Sequence, residues 1–158
     1  MSTRHLTFII LINFALAFIQ TSFLYALSPA VYIPNLVLAF GYAFLVDKKL
    51  ELGAGSLFIG GILVDLFGLG IIGLTPLIFL TFFMIIRFLD AYAFKSWATY
   101  ILGLILTHLG YFLLLTFSFN YFSFNLLIGT SNTLILCLSF VYINQQYGFF
   151  TQHKGFNS

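Results

Sequence analysis

The sequence predicts an all-α membrane protein, a compact bundle of six transmembrane helices. Of its 158 residues 61% are hydrophobic, and the charged residues are only six Lys or Arg and four Asp or Glu. A soluble domain of this length would carry about 40 charged side chains. At about 20 apolar residues per span, the chain has room for about six spans with short turns. A soluble globular fold is therefore excluded, and residues 1–158 are predicted to form a single transmembrane domain.

The first three helices are separated by prolines, a charged turn and glycines. The run from Leu6 to Val46 contains no charged residue and no histidine, which is enough for two spans. Ser28-Pro29 divides that run, and Pro34 falls in the first turn of the second helix, where proline is tolerated. The charged turn 47–51 ends the second helix. These breaks predict helices over residues 6–27, 31–46 and 52–69.

The last three helices are separated by one charged turn and one polar turn. Pro76 lies at the start of the fourth helix, and Arg87, Asp90 and Lys95 mark the charged turn that follows it. The polar turn 118–120 precedes the sixth helix. These breaks predict helices over residues 76–89, 97–117 and 122–143.

Alternate turns carry the positive charge. The basic residues fall at the N-terminus, in two turns and in the tail: Arg4, Lys48, Lys49, Arg87, Lys95 and Lys154. The three remaining turns, near Ser28, Gly70 and Asn120, have no charged residue. Because cytoplasmic loops are enriched in Lys and Arg, this pattern predicts that both termini face the cytoplasm.

Composition and motifs also limit the function. A net charge of +2 is too small for a nucleic-acid surface. The single cysteine, Cys137, has no partner for an internal disulfide or a metal site and is interpreted as a packing residue. Ser56 follows a glycine-rich segment but lies far in depth from His108, so no Ser–His pair is expected. The sequence therefore predicts no enzyme, no cofactor and no metal site.

Asp65 is the acidic residue that lies well inside a predicted helix. A carboxylate within the membrane is costly, so it should face protein and have a partner. Gly61, Asp65 and Gly68 share one helix face, where glycines allow a neighbouring backbone to approach closely. Asp65 is interpreted either as a binding or proton-relay carboxylate or, preferably, as a group that locks two helices together. His108 and Asn132 are its candidate intramembrane partners.

Small and polar residues also form faces on three other helices. These faces comprise Asn13, Ala17 and Gln20 on the first helix, Gly103, Thr107 and Gly110 on the fifth, and Asn125, Gly129, Asn132 and Ser139 on the sixth. Such faces hold helices together within a bundle. The alternative is that they line a ligand cavity.

The third helix carries a segment that resembles a known family. Gly60-Gly61-Ile62-Leu63-Val64-Asp65-Leu66-Phe67-Gly68, followed by Gly73-Leu74, resembles the most recognisable stretch of MreD, the rod shape-determining membrane protein. Pro34-Asn35 at the second helix resembles the Pro-Asp of that family, although Asn replaces the charged residue. The motif covers about 15 residues, whereas size and short turns agree over the whole chain.

The resemblance implies a non-enzymatic scaffold subunit of the bacterial elongation complex in the inner (cytoplasmic) membrane. Its implied partners are an MreC-like bitopic protein, a RodA-like glycosyltransferase and a class B penicillin-binding protein, besides the lipid bilayer. The MreD family is also thought to share the six-helix fold of the vitamin-binding S-components of ECF transporters. The alternative function is therefore a substrate-binding transporter subunit. The Ala-x-x-x-Ala docking face typical of that type is matched only at Ala26 to Ala30, across Pro29.

Overall fold

The computed structural model describes residues 3–24, 26, 34–68, 71–92, 97–116 and 124–147. Within these ranges the chain forms six helices and no strand, which confirms the all-helical prediction. The helices are α1 (Thr3–Phe18, continued by a π-helical segment, Ile19–Leu24), α2 (Leu36–Val46), α3 (Leu50–Phe67), α4 (Leu74–Tyr92), α5 (Trp97–Thr116) and α6 (Phe124–Tyr147).

Four of these helices are long and apolar enough to cross a membrane. The qualifying spans among the described residues are Leu6–Leu24, Leu50–Phe67, Leu74–Ala91 and Leu126–Gln146. Helix α2 and the apolar part of α5, Ala98–Leu114, are shorter. The fold is therefore that of a multi-pass helical membrane protein.

Helix α2 lies at the centre of the bundle. All ten residues from Leu36 to Leu45 are buried, as expected for a helix that is apolar on every side. It packs against α3, α6, α5 and α1, while α4 packs against α3 and α5. Four of the other helices therefore surround α2, which contributes six of the 18 buried residues in the main hydrophobic cluster.

Successive helices run in opposite directions. Gln20 near the end of α1 contacts Leu36 at the start of α2, and Asp47 after α2 contacts Asn144 near the end of α6. The first residues of α1 and the last residues of α6 therefore lie at the same end of the bundle. This end, called the charged end here, holds every described charged side chain except that of Asp65: Asp47, Lys48, Lys49, Glu51, Arg87 and Asp90.

The turn after α2 satisfies the last carbonyl groups of that helix. The N–H of Lys48 donates to the Leu45 carbonyl at 2.9 Å, and the N–H of Lys49 donates to the Phe44 carbonyl at 2.8 Å. This is the Schellman arrangement, in which the residue after the C-cap adopts a left-handed conformation. Lys48 takes that position with φ 60°, where glycine is the usual residue.

Several predicted boundaries were wrong by a few residues. Helix α2 begins at Leu36 rather than near residue 31, because Asn35 is its N-cap, and Pro34 precedes the helix instead of lying in its first turn. Helix α4 is longer than predicted at both ends, and α6 continues to Tyr147. The predicted turns near Ser28 and Asn120, together with Gly70 and the basic residues Lys95 and Lys154, lie outside the described residues.

Candidate functional site

Asp65 joins the end of α3 to the start of α4. Its Oδ2 accepts hydrogen bonds from the backbone N–H groups of Gly73 at 2.8 Å and Thr75 at 3.1 Å. The first N–H groups of a helix have no partner within that helix, and a carboxylate there also interacts favourably with the helix dipole. Asp65 is buried, with 5% of its surface exposed. It therefore acts as an N-terminal cap of α4 that is supplied by another helix.

Gly73 turns the chain so that this cap can form. Its φ of +96° lies in the left-handed region, which L-residues with a side chain rarely adopt. The turn is closed by the Leu74 N–H, which donates to the Ile71 carbonyl at 3.1 Å. The positive φ turns the chain into α4 directly after the N–H that Asp65 binds, which explains a glycine at this position.

Gly61 allows the same two helices to approach each other. A Cβ atom added there would lie 2.7 Å from the backbone nitrogen and 2.8 Å from the Cα of Pro76. Because those are backbone atoms, α3 and α4 would have to separate to accommodate a side chain. The adjacent Gly60 faces the opposite neighbours, the side chains of Asn13 and Val37. Gly61 is therefore a close-packing position, as the sequence predicted, and Gly60 is a second one on the opposite side of the helix.

Gly68 has a different role from the one predicted for it. It is the C-cap of α3, its N–H donates to the Val64 carbonyl at 2.8 Å, and it is exposed. A Cβ atom there would meet only that carbonyl of its own helix. The expectation that Gly68 allows a neighbouring helix to approach was therefore wrong, because α3 ends before the predicted face reaches it.

The two predicted partners of Asp65 lie in a different part of the bundle. The Nδ1 atom of His108 in α5 lies 3.2 Å from the hydroxyl oxygen of Thr133 in α6. Asn132, one residue before Thr133, is half-buried. The hypothesis that Asp65 pairs with His108 was wrong, since backbone groups of the following turn occupy its carboxylate.

A second group of polar side chains surrounds the start of α2. This group, called the α2-start cluster, consists of Gln20, Asn35, His108 and Thr133. Each of the four is at least nine-tenths buried. The cluster joins α1, α5 and α6 to the central helix.

The α2-start cluster covers the first N–H groups of the central helix. The Asn35 side chain accepts from the Leu38 N–H at 2.9 Å, which is the usual N-cap contact. Gln20 Oε1 accepts from the N–H groups of Leu36 at 2.8 Å and Val37 at 3.5 Å. The Asn35 N–H donates to the Thr133 hydroxyl at 3.0 Å. The helix can therefore begin inside apolar surroundings without leaving these backbone donors unpaired.

The contribution of Thr133 was missed in the sequence. The predicted polar face of α6 ran through Asn132 and Ser139, but the buried face is rotated by one position and includes Gly129, Thr133 and Cys137. Ser139 is exposed and donates to the carbonyl of its own helix. The spacing of these three small residues, four apart, was the signal that could have identified the correct face.

Two further polar contacts tie helices together in the core. Asn13 in α1 and Ser56 in α3 exchange hydrogen bonds at 2.9 and 3.2 Å. The Thr107 hydroxyl donates to the Gly103 carbonyl, so the Tyr42 hydroxyl donates to Thr107. Ser56 is therefore bonded to an amide and not to a histidine that could activate it as a nucleophile. The predicted inward faces of α1 and α5 are confirmed by these contacts.

Asp47 forms polar contacts between helices at the charged end. Its carboxylate accepts from the side-chain amides of Asn144 and Gln145, the latter at 3.2 Å, and Lys49 Nζ lies 3.9 Å away. Asp90 accepts from the Tyr100 hydroxyl at 2.7 Å, which joins α4 to α5. These groups fix the relative positions of helix ends.

The sites together define a multi-pass helical membrane protein whose buried polar groups join helices and cover helix ends. Within the described ranges, no three His, Cys, Asp or Glu side chains are grouped as a metal site would require. No family model, curated protein or solved structure matches this chain.

Proposed function

We propose that the protein is a non-enzymatic scaffold subunit of the bacterial cell-elongation complex, of the MreD type. In this role it supports cell shape and lateral peptidoglycan synthesis through contacts with MreC-like, RodA-like and class B penicillin-binding partners. The observation that carries the proposal is the corner between α3 and α4. There Gly61, Asp65 and Gly73, which are central residues of the resembling segment, act together in one helix–turn–helix contact.

The use of the polar groups also supports a scaffold. Asp65 covers the start of α4, Asn13 and Ser56 bond to each other, and Tyr42 bonds to Thr107. A catalytic or transport site would instead need polar groups directed towards a substrate. Groups engaged in helix contacts favour a protein that acts by presenting a stable surface.

The proposed topology has six transmembrane helices, with both termini on the cytoplasmic side of the inner membrane. Lys48, Lys49 and Arg87 support it, because all three lie at the charged end together with the start of α1 and the end of α6. Cysteines at Lys49 and Asp90 should react with a membrane-impermeant thiol reagent only from the cytoplasmic side. A cysteine at Ile72 should react only from outside, and its labelling from the cytoplasm would contradict the topology.

The partner surface is proposed to lie on the outward faces of the bundle. On α4 these faces carry Leu77, Met84 and Phe88, which are 64%, 68% and 62% exposed, and on α1 they carry Leu11 and Phe14. Within lipid, helices associate through packing and polar contacts. A cysteine crosslink scan of these faces against the transmembrane segment of an MreC-like protein tests the docking. Absence of crosslinks at every depth, with both proteins expressed and cell shape normal, would contradict it.

The decisive experiment for the function is an affinity purification in mild detergent followed by mass spectrometry. Recovery of an MreC-like protein with cell-wall synthases is expected from wild type and from the control Gly55→Ala, since a Cβ at Gly55 meets no atom within 4 Å. Loss of these partners is expected for Asp65→Leu. Recovery of ATPase subunits would instead favour the S-component alternative. The Ala26–Ala30 docking face considered for that alternative includes residues outside the described ranges.

A further inference from the structure

The α2-start cluster has an internal hydrogen-bond pattern that determines the form of its histidine. The Thr133 hydroxyl has one proton, which it donates to the Gly129 carbonyl at 2.8 Å. The same oxygen accepts from the Asn35 N–H at 3.0 Å, so Thr133 has no proton left for His108. The contact at 3.2 Å therefore requires that His108 Nδ1 carries the hydrogen. In a neutral ring the other nitrogen, Nε2, is then an acceptor.

Asn35 leaves one strong donor unused in the same cluster. Its Oδ1 accepts from Leu38, which places the side-chain amide over the first turn of α2. Its Nδ2 is fully buried and has no hydrogen-bond partner within the described part of the chain. Asn35 as a whole is 3% exposed. An unpaired buried donor is unfavourable, so a group that accepts its hydrogen bond would be bound with a gain in free energy.

The Nδ2 atom of Asn35 and the Nε2 atom of His108 belong to neighbouring side chains. Asn35 and His108 both bond to the same atom, the hydroxyl oxygen of Thr133. One group is a donor and the other an acceptor, and both side chains are buried, Asn35 with 3% and His108 with 5% of its surface exposed. A neutral partner that can accept from an amide and donate to an imidazole matches this pair. A hydroxyl group has both properties, whereas a carboxylate or a carbonyl has only the first.

We propose that the α2-start cluster is a binding site for a hydroxyl group, which accepts a hydrogen bond from Asn35 Nδ2 and donates one to His108 Nε2. The hydroxyl can belong to a water molecule or to an apolar ligand that carries an alcohol. Both sources present the same chemistry, and the experiment below distinguishes them. The proposal is independent of the scaffold function, because it concerns the interior of the bundle and not its outer surface.

The test is nitrogen-15 NMR of the full chain, labelled at histidine and reconstituted in lipid bilayers. The resonances of His108 are assigned with a His108→Gln variant. The proposal expects the tautomer with hydrogen on Nδ1 and an Nε2 atom that accepts a hydrogen bond. Magnetisation transfer from water to Nε2 identifies water as the source. A change in the Nε2 shift on addition of 1-dodecanol, but not of dodecane, identifies an alcohol.

Asn35→Ser is the diagnostic variant, because serine retains an N-cap oxygen for α2 but lacks the amide donor. It should abolish the water transfer or the dodecanol response at His108 and leave the Nδ1 hydrogen in place. Asn13→Ser is the matched control, since the Asn13 amide is already paired with the Ile9 carbonyl and Ser56. It should leave the His108 resonances unchanged. A ring with hydrogen on Nε2, or a signal that neither water nor dodecanol affects in wild type, would overturn the proposal.

Discussion

The first N–H groups of α4 and of α2 are both hydrogen-bonded by side chains, but the accepting groups differ. In both, backbone N–H groups that have no partner within their helix are covered by side chains, at least one of which comes from another helix. The start of α4 is covered by the carboxylate of Asp65, whereas the start of α2 is covered by the neutral amides of Asn35 and Gln20.

Their surroundings account for the difference. The turn before α4 is exposed, with Ile71 and Ile72 at 75% and 67%, so the Asp65 carboxylate, although 5% exposed itself, binds the end of an exposed turn. The start of α2 lies against α1, α5 and α6, where an unpaired charge would be far more costly than an amide. A charge is therefore used where a helix begins at the rim, and amides are used where a helix begins inside.

Replacement of Asp65, the charged cap of α4, should cause the largest loss of stability. Asp65→Leu leaves the Gly73 and Thr75 N–H groups without an acceptor, and we expect a loss of about 3 kcal/mol in the free energy of unfolding. Asp65→Asn keeps an acceptor oxygen and should lose about 1 kcal/mol through the missing charge. Both are measured by SDS titration of the protein in micelles. Equal losses would mean that the negative charge, rather than the hydrogen bonds, carries the contact.

Separation of α3 from α4 at Gly61 should cause the second largest loss of stability. Gly61→Ala forces the backbones of α3 and α4 apart, at about 2 kcal/mol. Gly55→Ala on the same helix is the control and should be neutral or slightly stabilising, since its Cβ meets no atom within 4 Å and alanine favours helix. Thermal unfolding in detergent compares the two. Equal transition temperatures would show that the close approach at Pro76 is not required.

Loss of a neutral acceptor at the start of α2 should destabilise the protein less than loss of the Asp65 carboxylate. Gln20→Leu removes the acceptor of the Leu36 N–H and of the longer contact to Val37, and should cost about 1.5 kcal/mol. Ser22→Leu, an exposed position in the same π-helical segment, is the control and should change stability little. The same SDS titration ranks these variants with those of Asp65. A loss for Gln20→Leu as large as for Asp65→Leu would remove the distinction between the two caps.

At the C-terminal end of α2 we expect the smallest change in stability, and a gain instead of a loss. Lys48→Gly relieves a left-handed conformation that lysine adopts unfavourably, so we expect a gain of about 1 kcal/mol. Lys49→Gly is the control, because Lys49 has an ordinary φ of −92° and lies 3.9 Å from Asp47. It should gain nothing. Destabilisation by Lys48→Gly, measured by thermal unfolding, would indicate that the lysine charge matters more than the backbone.

Features marked by a residue type that is unusual for its surroundings could be predicted from the sequence. Asp65 was identified because a carboxylate is rare in an apolar helix, and Gly61 because it shares its face. The helices themselves were recognised from the apolar runs between charged and polar turns. The hydrogen bonds of the Asp65 carboxylate could not be predicted in this way. Their donors are the backbone N–H groups of Gly73 and Thr75, which every residue except proline carries.

The remaining errors arise where every residue type looks alike. Helix α2 is apolar on all sides, so periodicity could not show that it begins at Leu36. Helix α6 has small and polar residues around its circumference, which concealed that Thr133 rather than Asn132 faces His108. The π-helical segment after Phe18 has no known sequence signature here. In membrane helices, the inward face depends on neighbours that hydrophobicity alone does not distinguish.

The cap of α2 also has a consequence for how the protein is made. Gln20 is synthesised before α2, but Thr133 follows Asn35 by 98 residues. At about 5–20 residues per second, the ribosome reaches Thr133 roughly 5–20 s after Asn35. During that interval the nascent central helix has only part of its cover, so its final placement must wait until α6 leaves the translocon. The last helix along the chain therefore completes the cap of the second, and truncation before Thr133 should yield chains that membrane quality-control proteases recognise.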